Sequence, residues 1–261
     1  MKSLFSLEGR TALITGGSRG IGKMIARGFL EQGARVYISA RKADQCEHAA
    51  EELSQYGKCV AIPQDVSTIE GCKILERAYA HHEQTLDILV NNAGAAWGAE
   101  FDEFPESGWD KVMTLNVKAP FFLTQAMHDR LKAAARKDRP AKVIMIASID
   151  GIRINPWETY SYQASKAALI HLTRRMAARL ARDQIMVSGV APGAFASEMN
   201  RAARDHAEEV GKMIPAGRIG ETEDMAGVAI FLASRAGDYV CGETIAVDGG
   251  VAYSSLNHFG G

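Results

Sequence analysis

Arg10-Thr-Ala-Leu-Ile-Thr15-Gly16-Gly-Ser-Arg-Gly20-Ile-Gly22 runs from a short apolar stretch with β-branched residues directly into a cluster of glycines. Behind it, Ile21, Ile25 and Phe29 recur at helical spacing, and Gly33 ends the pattern. The segment predicts a strand, a glycine turn and a helix. Glycine lets the backbone approach a phosphate closely, and the N–H groups at a helix N-terminus receive it. Because the spacing departs from GxGxxG, the turn alone is a weak indication of dinucleotide binding.

The same alternation continues along the chain, which strengthens that interpretation. Further strands are predicted at 35–40, 59–63, 86–90, 142–147, 185–191 and 244–247. Helices are predicted at about 43–56, 68–82, 113–131, 160–182 and 221–234. Strands that alternate with helices of crossover length predict a mostly parallel α/β sheet covered on both faces. No linker or repeat interrupts the pattern, so residues 1–261 are predicted to form one domain.

The segment from Phe195 to Pro215 fits this alternation least well. It mixes apolar residues such as Met199 and Met213 with charged ones such as Arg204 and Glu208. An insertion at the carboxyl end of a strand predicts a lid over the cleft, built from one or two short amphipathic helices.

Composition excludes several classes of protein. The chain is 47% hydrophobic and 23% charged, with 30 Lys+Arg against 31 Asp+Glu and a formal charge of −1. Such a balance offers no field to attract nucleic acid or an anionic membrane. We find neither a signal-peptide core nor a run of about 20 apolar residues, and therefore expect a cytoplasmic protein. The four cysteines are widely spaced and predict reduced thiols and no metal site.

Tyr162 and Lys166 stand four residues apart in a segment predicted to be helical, and so share one helix face. An ammonium beside a phenol in a partly dry cleft favours the phenolate, which would allow proton exchange near neutral pH. The alternative is an ordinary solvated helix face, on which such pairs are common.

Several other motifs accompany this pair in a fixed order. They are Thr15-Gly-x-x-x-Gly-x-Gly22, Asn91-Asn-Ala-Gly94, Asn116, Ser148, Tyr162-x-x-x-Lys166, Pro192-Gly193 and Val247-Asp-Gly-Gly250. Through them the chain resembles the short-chain dehydrogenase/reductase family from about Leu7 to Gly250. Within that family it is most similar to NADP-dependent 3-oxoacyl reductases, through Ser6-Leu-Glu-Gly-Arg10, Trp97-Gly98 and Tyr160-x-Tyr162. The resemblance implies a seven-stranded Rossmann sheet with a nicotinamide cofactor at the strand-order switch point.

The resemblance also implies catalytic roles. Tyr162 would donate the proton to a carbonyl oxygen as hydride arrives, and Ser148 would hold the same oxygen by a hydrogen bond. Lys166 would lower the pKa of Tyr162 and bind the nicotinamide ribose, while Asn116 would hold a water that relays protons to Lys166. Ser148 as a turn former and Asn116 as a polar residue that kinks a helix remain as alternatives.

The residues expected to bind the cofactor gather at the strand ends. They are Gly16, Ser18, Arg19, Gly20, Ile21, Gly22, Arg41, Asp65, Val66, Asn92, Ala93, Gly94, Tyr162, Lys166, Pro192, Gly193 and Ser197. Ala40-Arg41 replaces the acidic residue that an NAD site would use, and Arg19 is a second cation at that corner, so NADP is predicted. For Asp65, the alternative is an acid at a helix N-terminus.

The substrate is less well defined by the sequence. Trp97, Ile152, Trp157 and Phe195 favour an apolar ketone, whereas a polyol or sugar-acid dehydrogenase of the same family is the alternative. A scaffold protein without catalytic activity is a further alternative, although all four catalytic residues are present. Asp150, Arg153 and the tail 252–261 depart from the commonest family pattern. From the habit of the family and from the apolar spacing on the Tyr162 helix we expect a homotetramer.

Overall fold

Seven strands form one sheet in which neighbouring strands run parallel. The computed structural model describes residues 3–254, so most of the predicted tail lies outside the described residues. The strands are β1 (Thr11–Thr15), β2 (Arg35–Ser39), β3 (Cys59–Ala61), β4 (Ile88–Asn91), β5 (Ala141–Ile146), β6 (Ile185–Pro192) and β7 (Thr244–Val247). Their order is β3-β2-β1-β4-β5-β6-β7. The chain therefore reverses its direction of growth between β1 and β4, where ligands bind in such sheets.

Helices cover both faces of the sheet. They are α1 (Gly20–Glu31), α2 (Ala43–Leu53), α3 (Ile69–Ala80), α4 (Glu106–Met113), α5 (Ala119–Ala126), α6 (His128–Ala134), α7 (Tyr160–Leu180), α8 (Arg201–Asp205), α9 (Ala207–Lys212) and α10 (Thr222–Ala233). One core lies under α1, α2 and α10, and a second lies under α3, α5, α6 and α7. The predicted doubly wound Rossmann fold is confirmed.

Alternation along β1 explains how one strand serves two cores. Ala12 and Ile14 belong to the first core, while Leu13 belongs to the second, and all three are fully buried. A strand covered on both faces needs apolar residues at successive positions, which is the continuous pattern seen in the sequence.

The helix predicted at 113–131 is broken in the structure. A five-residue π-helical segment, Thr114–Lys118, separates α4 from α5, and Pro120 lies in the first turn of α5. Proline has no N–H to donate and its ring crowds the carbonyl four residues earlier, which is that of Asn116. Widening the helix there relieves the crowding, and such π segments are frequent at functional sites.

Candidate active site

The glycine turn between β1 and α1 has the shape that a phosphate requires. Gly16 and Gly20 have φ of +66° and +52°, and a Cβ at Gly22 would lie 2.3 Å from the carbonyl oxygen of Gly16. Arg19 precedes α1 as its N-cap without a capping side-chain hydrogen bond. No side chain fills the turn, so the first backbone N–H groups of α1 are free to donate hydrogen bonds to an anion bound there, as in other anion sites.

The end of β4 is tied to this turn. The Thr15 hydroxyl accepts hydrogen bonds from the backbone N–H groups of Asn92 and Ala93, each at 3.1 Å. The Asn92 amide donates to the carbonyls of Thr15 and Gly16 at 2.8 and 3.1 Å. These bonds hold the two halves of the switch point together. Thr15 was not predicted as a site residue, although a threonine at the end of a strand was a signal for such a bond.

Two cations lie at the corner beside the end of β2. Arg19 and Arg41 are exposed, and neither side chain has a hydrogen bond or ion pair with any residue between 3 and 254. Ser18 is half-buried in the same turn. The uncapped helix terminus, the glycine cradle and two unpaired guanidinium groups together fit a dinucleotide with an additional phosphate.

Ser148, Tyr162 and Lys166 converge at the carboxyl end of β5. Ser148 and Lys166 are buried, whereas Tyr162 is half-buried. The Lys166 ammonium lies 5.5 Å from the centre of the Tyr162 ring and donates a 2.8 Å hydrogen bond to the carbonyl of Ile146. Tyr162 and Lys166 therefore lie together as predicted, and this part of α7 is not a solvated helix face.

Burial governs the protonation of this pair. It raises the pKa of Tyr162 to about 12; hydrogen bonding to Ser148 lowers that pKa and the Asp150 charge raises it. Burial lowers the pKa of Lys166 to about 8, against an opposing effect of Asp150. Desolvation of the phenolate is the larger effect, so the pKa of Tyr162 stands above that of a free phenol, and the lowering expected from the Lys166 ammonium stays a prediction.

Asn116 is buried in the π-helical segment and joins two elements. Its amide exchanges hydrogen bonds with the backbone of Ala95, accepting at 2.8 Å and donating at 2.9 Å, and also donates to the Ser165 hydroxyl at 2.9 Å. Both amide hydrogens are therefore used within the protein. The Asn116 amide therefore has no free hydrogen to donate to the predicted water, which stays a prediction.

Other predicted cofactor residues surround the same cleft. Asp65 accepts a hydrogen bond from the Ser67 N–H at 2.9 Å, while Thr68 caps α3, so Asp65 forms a turn and is not the cap of the helix. A Cβ at Gly193 would lie 2.7 Å from Asp248, and one at Gly20 would lie 3.3 Å from Ser197. Gly193 thus lies against Asp248, and Ser197 lies against the glycine turn. Of the remaining predicted residues, Val66 and Gly94 lie in the loops after β3 and β4, Ile21 lies in the first turn of α1, and Pro192 is the last residue of β6.

The substrate side differs in part from the prediction. Phe195 is only 2% exposed and packs its ring against Gly220, so it belongs to the core under α1, α2 and α10. Trp97 packs against Gly108 with Lys111 over its ring, whereas Trp157 is 71% exposed. The Arg153 guanidinium donates to the carbonyl of Val251 at 3.1 Å. This bond anchors the loop between β5 and α7 to the segment after β7.

The segment after β6 forms the two predicted short helices, α8 and α9. Ile214 is buried beneath them, whereas Met199 and Met213 are 53% and 74% exposed. Arg204 forms ion pairs with Glu198 and Asp205. Its guanidinium is therefore neutralised within the segment, which removes it as a free phosphate ligand.

Sequence reasoning missed an aromatic cluster beside the site. Tyr160 contacts Phe101 and Phe104 edge to face, with ring centres 5.6 and 5.7 Å apart, and its hydroxyl donates to Glu158 at 2.9 Å. The cluster joins the loop after β4 to the start of α7. Only the spacing of Phe101 and Phe104 hinted at it.

Within residues 3–254 no helix is long and apolar enough to cross a membrane. The same part of the chain contains no cluster of three or more metal-ligating side chains. All four cysteines are free thiols.

The glycine cradle and the Ser148, Tyr162 and Lys166 group lie on one Rossmann sheet, which is the arrangement expected of an oxidoreductase site. A family profile described as Enoyl-(Acyl carrier protein) reductase matches residues 16–252. The chain belongs to the short-chain dehydrogenase/reductase family, as the sequence motifs predict. It is thus an oxidoreductase of that family.

The relatives include proteins of both predicted substrate classes. The chain is 47% identical over 253 residues to the rhamnolipids biosynthesis 3-oxoacyl-[acyl-carrier-protein] reductase of Pseudomonas aeruginosa, covering 96% of this chain and 99% of that one. The Pseudomonas aeruginosa RhlG/NADP active-site complex has a TM-score of 0.93 at 47% identity and covers 97% and 100% of the two chains. A Burkholderia cenocepacia gluconate 5-dehydrogenase in complex with NADP and tartrate has a TM-score of 0.88 at 35% identity, covering 97% and 99%.

Proposed function

We propose that the chain reduces an apolar ketone, of the 3-oxoacyl type, to a secondary alcohol at the expense of NADPH. The observation that carries the proposal is the convergence of Ser148, Tyr162 and Lys166 beside the uncapped N-terminus of α1. The relative at 47% identity is a 3-oxoacyl reductase, and its solved complex contains NADP, which supports both halves of the proposal.

The cofactor is held by backbone and by cations. The glycine turn at the N-terminus of α1 would hold the pyrophosphate, and Arg19 and Arg41 would bind the 2′-phosphate. Asp65 retains one carboxylate oxygen that is not used by Ser67, and that oxygen would accept from the adenine amino group. Ser197, which adjoins Gly20, would bind the nicotinamide amide.

The nicotinamide supplies the hydride, and the protein supplies the proton. Ser148 donates a hydrogen bond to the carbonyl oxygen, which gathers negative charge as the hydride adds to its carbon. Tyr162 has a pKa of about 12, so at neutral pH it carries the proton that this oxygen takes. Lys166, with a pKa of about 8, is protonated at pH 7 and restores the Tyr162 proton. A water held by Asn116 would connect Lys166 to solvent.

The segment 195–215 acts as the lid over this reaction. The segment contributes Met199 and Met213, and the loop before α7 contributes Ile154 and Trp157, all of them exposed. Apolar side chains around a cleft favour an acyl chain over a hydrated sugar. Because a gluconate 5-dehydrogenase is also a relative, a sugar-acid dehydrogenase is the second candidate.

An activity screen tests the function. NADPH oxidation is followed with 3-oxoacyl thioesters, cyclic ketones, quinones and 5-ketogluconate as substrates. Fastest turnover of a 3-oxoacyl thioester supports the proposal, whereas fastest turnover of 5-ketogluconate establishes the second candidate. Tight NADPH binding without turnover of any of them would instead indicate a scaffold or sensor.

The assembly we propose is a homotetramer in the cytoplasm. Ala164 and Ala167 are exposed on α7 and permit close approach of a second helix, while Trp109 and Phe121 are apolar and exposed on α4 and α5. Two such faces per protomer suit D₂ symmetry. Sedimentation at micromolar concentration tests it, and a monomer would contradict it. Fractionation of the source cells tests the location.

A further inference from the structure

Asp150 lies beside the reacting groups. It follows Ser148 by two residues in a 3₁₀ turn, Ile149–Gly151, and its N–H donates to the Ser148 hydroxyl oxygen at 3.1 Å. Gly151, the next residue, brings the turn into close contact with α7, since a Cβ at Gly151 would lie 2.5 Å from the carbonyl carbon of Lys166. The position of Asp150 is therefore fixed by both the strand end and the catalytic helix.

The carboxylate of Asp150 is half-buried and unpaired. It has no hydrogen bond or ion pair with any residue of the described chain. Arg153, three residues later, and Lys166, on which the Asp150 charge acts, are both engaged elsewhere, with the carbonyls of Val251 and Ile146 respectively. A charge left without a partner in a partly dry cleft interacts strongly with whatever enters.

The reacting groups respond to this charge. After burial, Asp150 is the charged group that acts on both Tyr162 and Lys166, and it raises the pKa of each. A carboxylate that acts on the phenol proton also acts on a substrate whose carbonyl oxygen is bound to that phenol. An anionic group close to the carbonyl would then face a like charge across a poorly screened distance.

We propose that Asp150 selects substrates by charge, admitting neutral carbonyl compounds such as esters and thioesters and disfavouring those with a carboxylate next to the reacting carbonyl. This inference rests on the proposed function, because it names the substrate class of the same site.

A matched pair of probes tests the inference. Ethyl 3-oxobutanoate and 3-oxobutanoate have the same reacting ketone and differ in the charge of the neighbouring group. The measured quantity is the ratio of kcat/KM for the ester to that for the anion, in wild type, Asp150→Asn and Asp150→Glu. Comparing ratios removes the intrinsic reactivity of each probe and any change in Tyr162 or Lys166 that affects both probes equally.

Asp150→Asn is expected to lower this ratio about tenfold, equivalent to about 1.4 kcal/mol. Asp150→Glu keeps the charge and is expected to keep most of the ratio. Asp138→Asn removes one exposed carboxylate before β5, at the opposite edge of the sheet, and should leave the ratio unchanged. Thermal melts confirm that each variant is folded. An equal ratio in wild type and Asp150→Asn would overturn the inference while the proposed function stands.

Binding separates the two ideas when turnover is absent. The affinity of each probe for the enzyme–NADPH complex is measured by the change in NADPH fluorescence. Selective tightening of the anion in Asp150→Asn without turnover would support charge selection and contradict the proposed function. Binding of neither probe to any variant would overturn both.

Discussion

Lys166 and Ile146 are joined by a 2.8 Å hydrogen bond in which the ammonium donates to the last carbonyl of β5. The bond attaches the catalytic helix to the strand that ends two residues before Ser148. Lys166 and Ser148 are therefore positioned by the same strand, and Tyr162, one helical turn before Lys166, faces Ser148 as a consequence. The chemistry depends on this attachment of α7 to β5.

Replacing Tyr162 by Phe removes the transferable proton and keeps the ring. Turnover should fall by at least about 10²-fold, while NADPH binding survives. Steady-state kinetics and fluorescence titration measure the two effects. Tyr160→Phe is the matched control, because the Tyr160 hydroxyl bonds to exposed Glu158 and not to Ser148. Loss of activity in Tyr160→Phe but not in Tyr162→Phe would show that Tyr160, and not Tyr162, is the proton donor.

The rate of reduction should fall above pH 8. Tyr162 keeps its proton up to a pKa of about 12, whereas Lys166 loses its own near 8. Since reduction consumes a proton that Lys166 must replace, kcat/KM should be level below about pH 8 and fall about tenfold per pH unit above it. Lys166→Arg retains the cation and should move the break upward in any activity that remains. A level profile to pH 10 would contradict this role for Lys166.

Arg41 should decide between the two dinucleotides. We expect kcat/KM for NADPH to exceed that for NADH at least tenfold, about 1.4 kcal/mol, and Arg41→Asp to reduce or reverse the preference. Lys137→Asp makes the same change of charge at an exposed position before β5 and serves as the control. Equal kcat/KM values for NADH and NADPH in the wild type would refute the assignment.

Gly22 should not tolerate a methyl group. In Gly22→Ala the new Cβ would lie 2.3 Å from the carbonyl of Gly16, so either the turn shifts or the protein is destabilised. We expect NADPH affinity to fall at least about tenfold, as measured by fluorescence titration. Gly227→Ala has no atom within 4 Å of its Cβ on α10 and should gain roughly 0.5–1 kcal/mol in urea unfolding. Unchanged affinity in Gly22→Ala would show that the turn is not a tight cradle.

The parts of the structure that follow from local pattern could be predicted from the sequence. The sheet was predicted from apolar strands such as Thr11–Thr15 and Thr244–Val247, and the phosphate turn from the segment Gly16 to Gly22. Both predictions succeed because burial and glycine conformation act locally. The π-helical break around Asn116 was missed, although Pro120 inside the helix predicted at 113–131 was a signal for a break.

Quantities set by long-range packing were not predictable. The elevated pKa of Tyr162 depends on how deeply α7 packs against β5, and the burial of Phe195 depends on its contact with Gly220. The residues of α7 and β5 are distant in sequence, and so are Phe195 and Gly220. The free charge of Asp150 likewise emerged only once Arg153 was seen to bind Val251.

The last prediction concerns the segment 195–215 and substrate size. If it covers an acyl chain, kcat/KM should rise with chain length among 3-oxoacyl thioesters, because additional methylenes bury against exposed Met213 and Trp157. Trp157→Ala should erode the gain for long chains selectively and leave short chains unaffected. Phe195→Ala should instead lower the free energy of unfolding by about 3–5 kcal/mol, since Phe195 is 2% exposed in the core under α1 and α10. Kinetics across chain lengths and urea unfolding separate the two variants. Equal kcat/KM for short and long chains, with Trp157→Ala neutral, would favour the sugar-acid dehydrogenase.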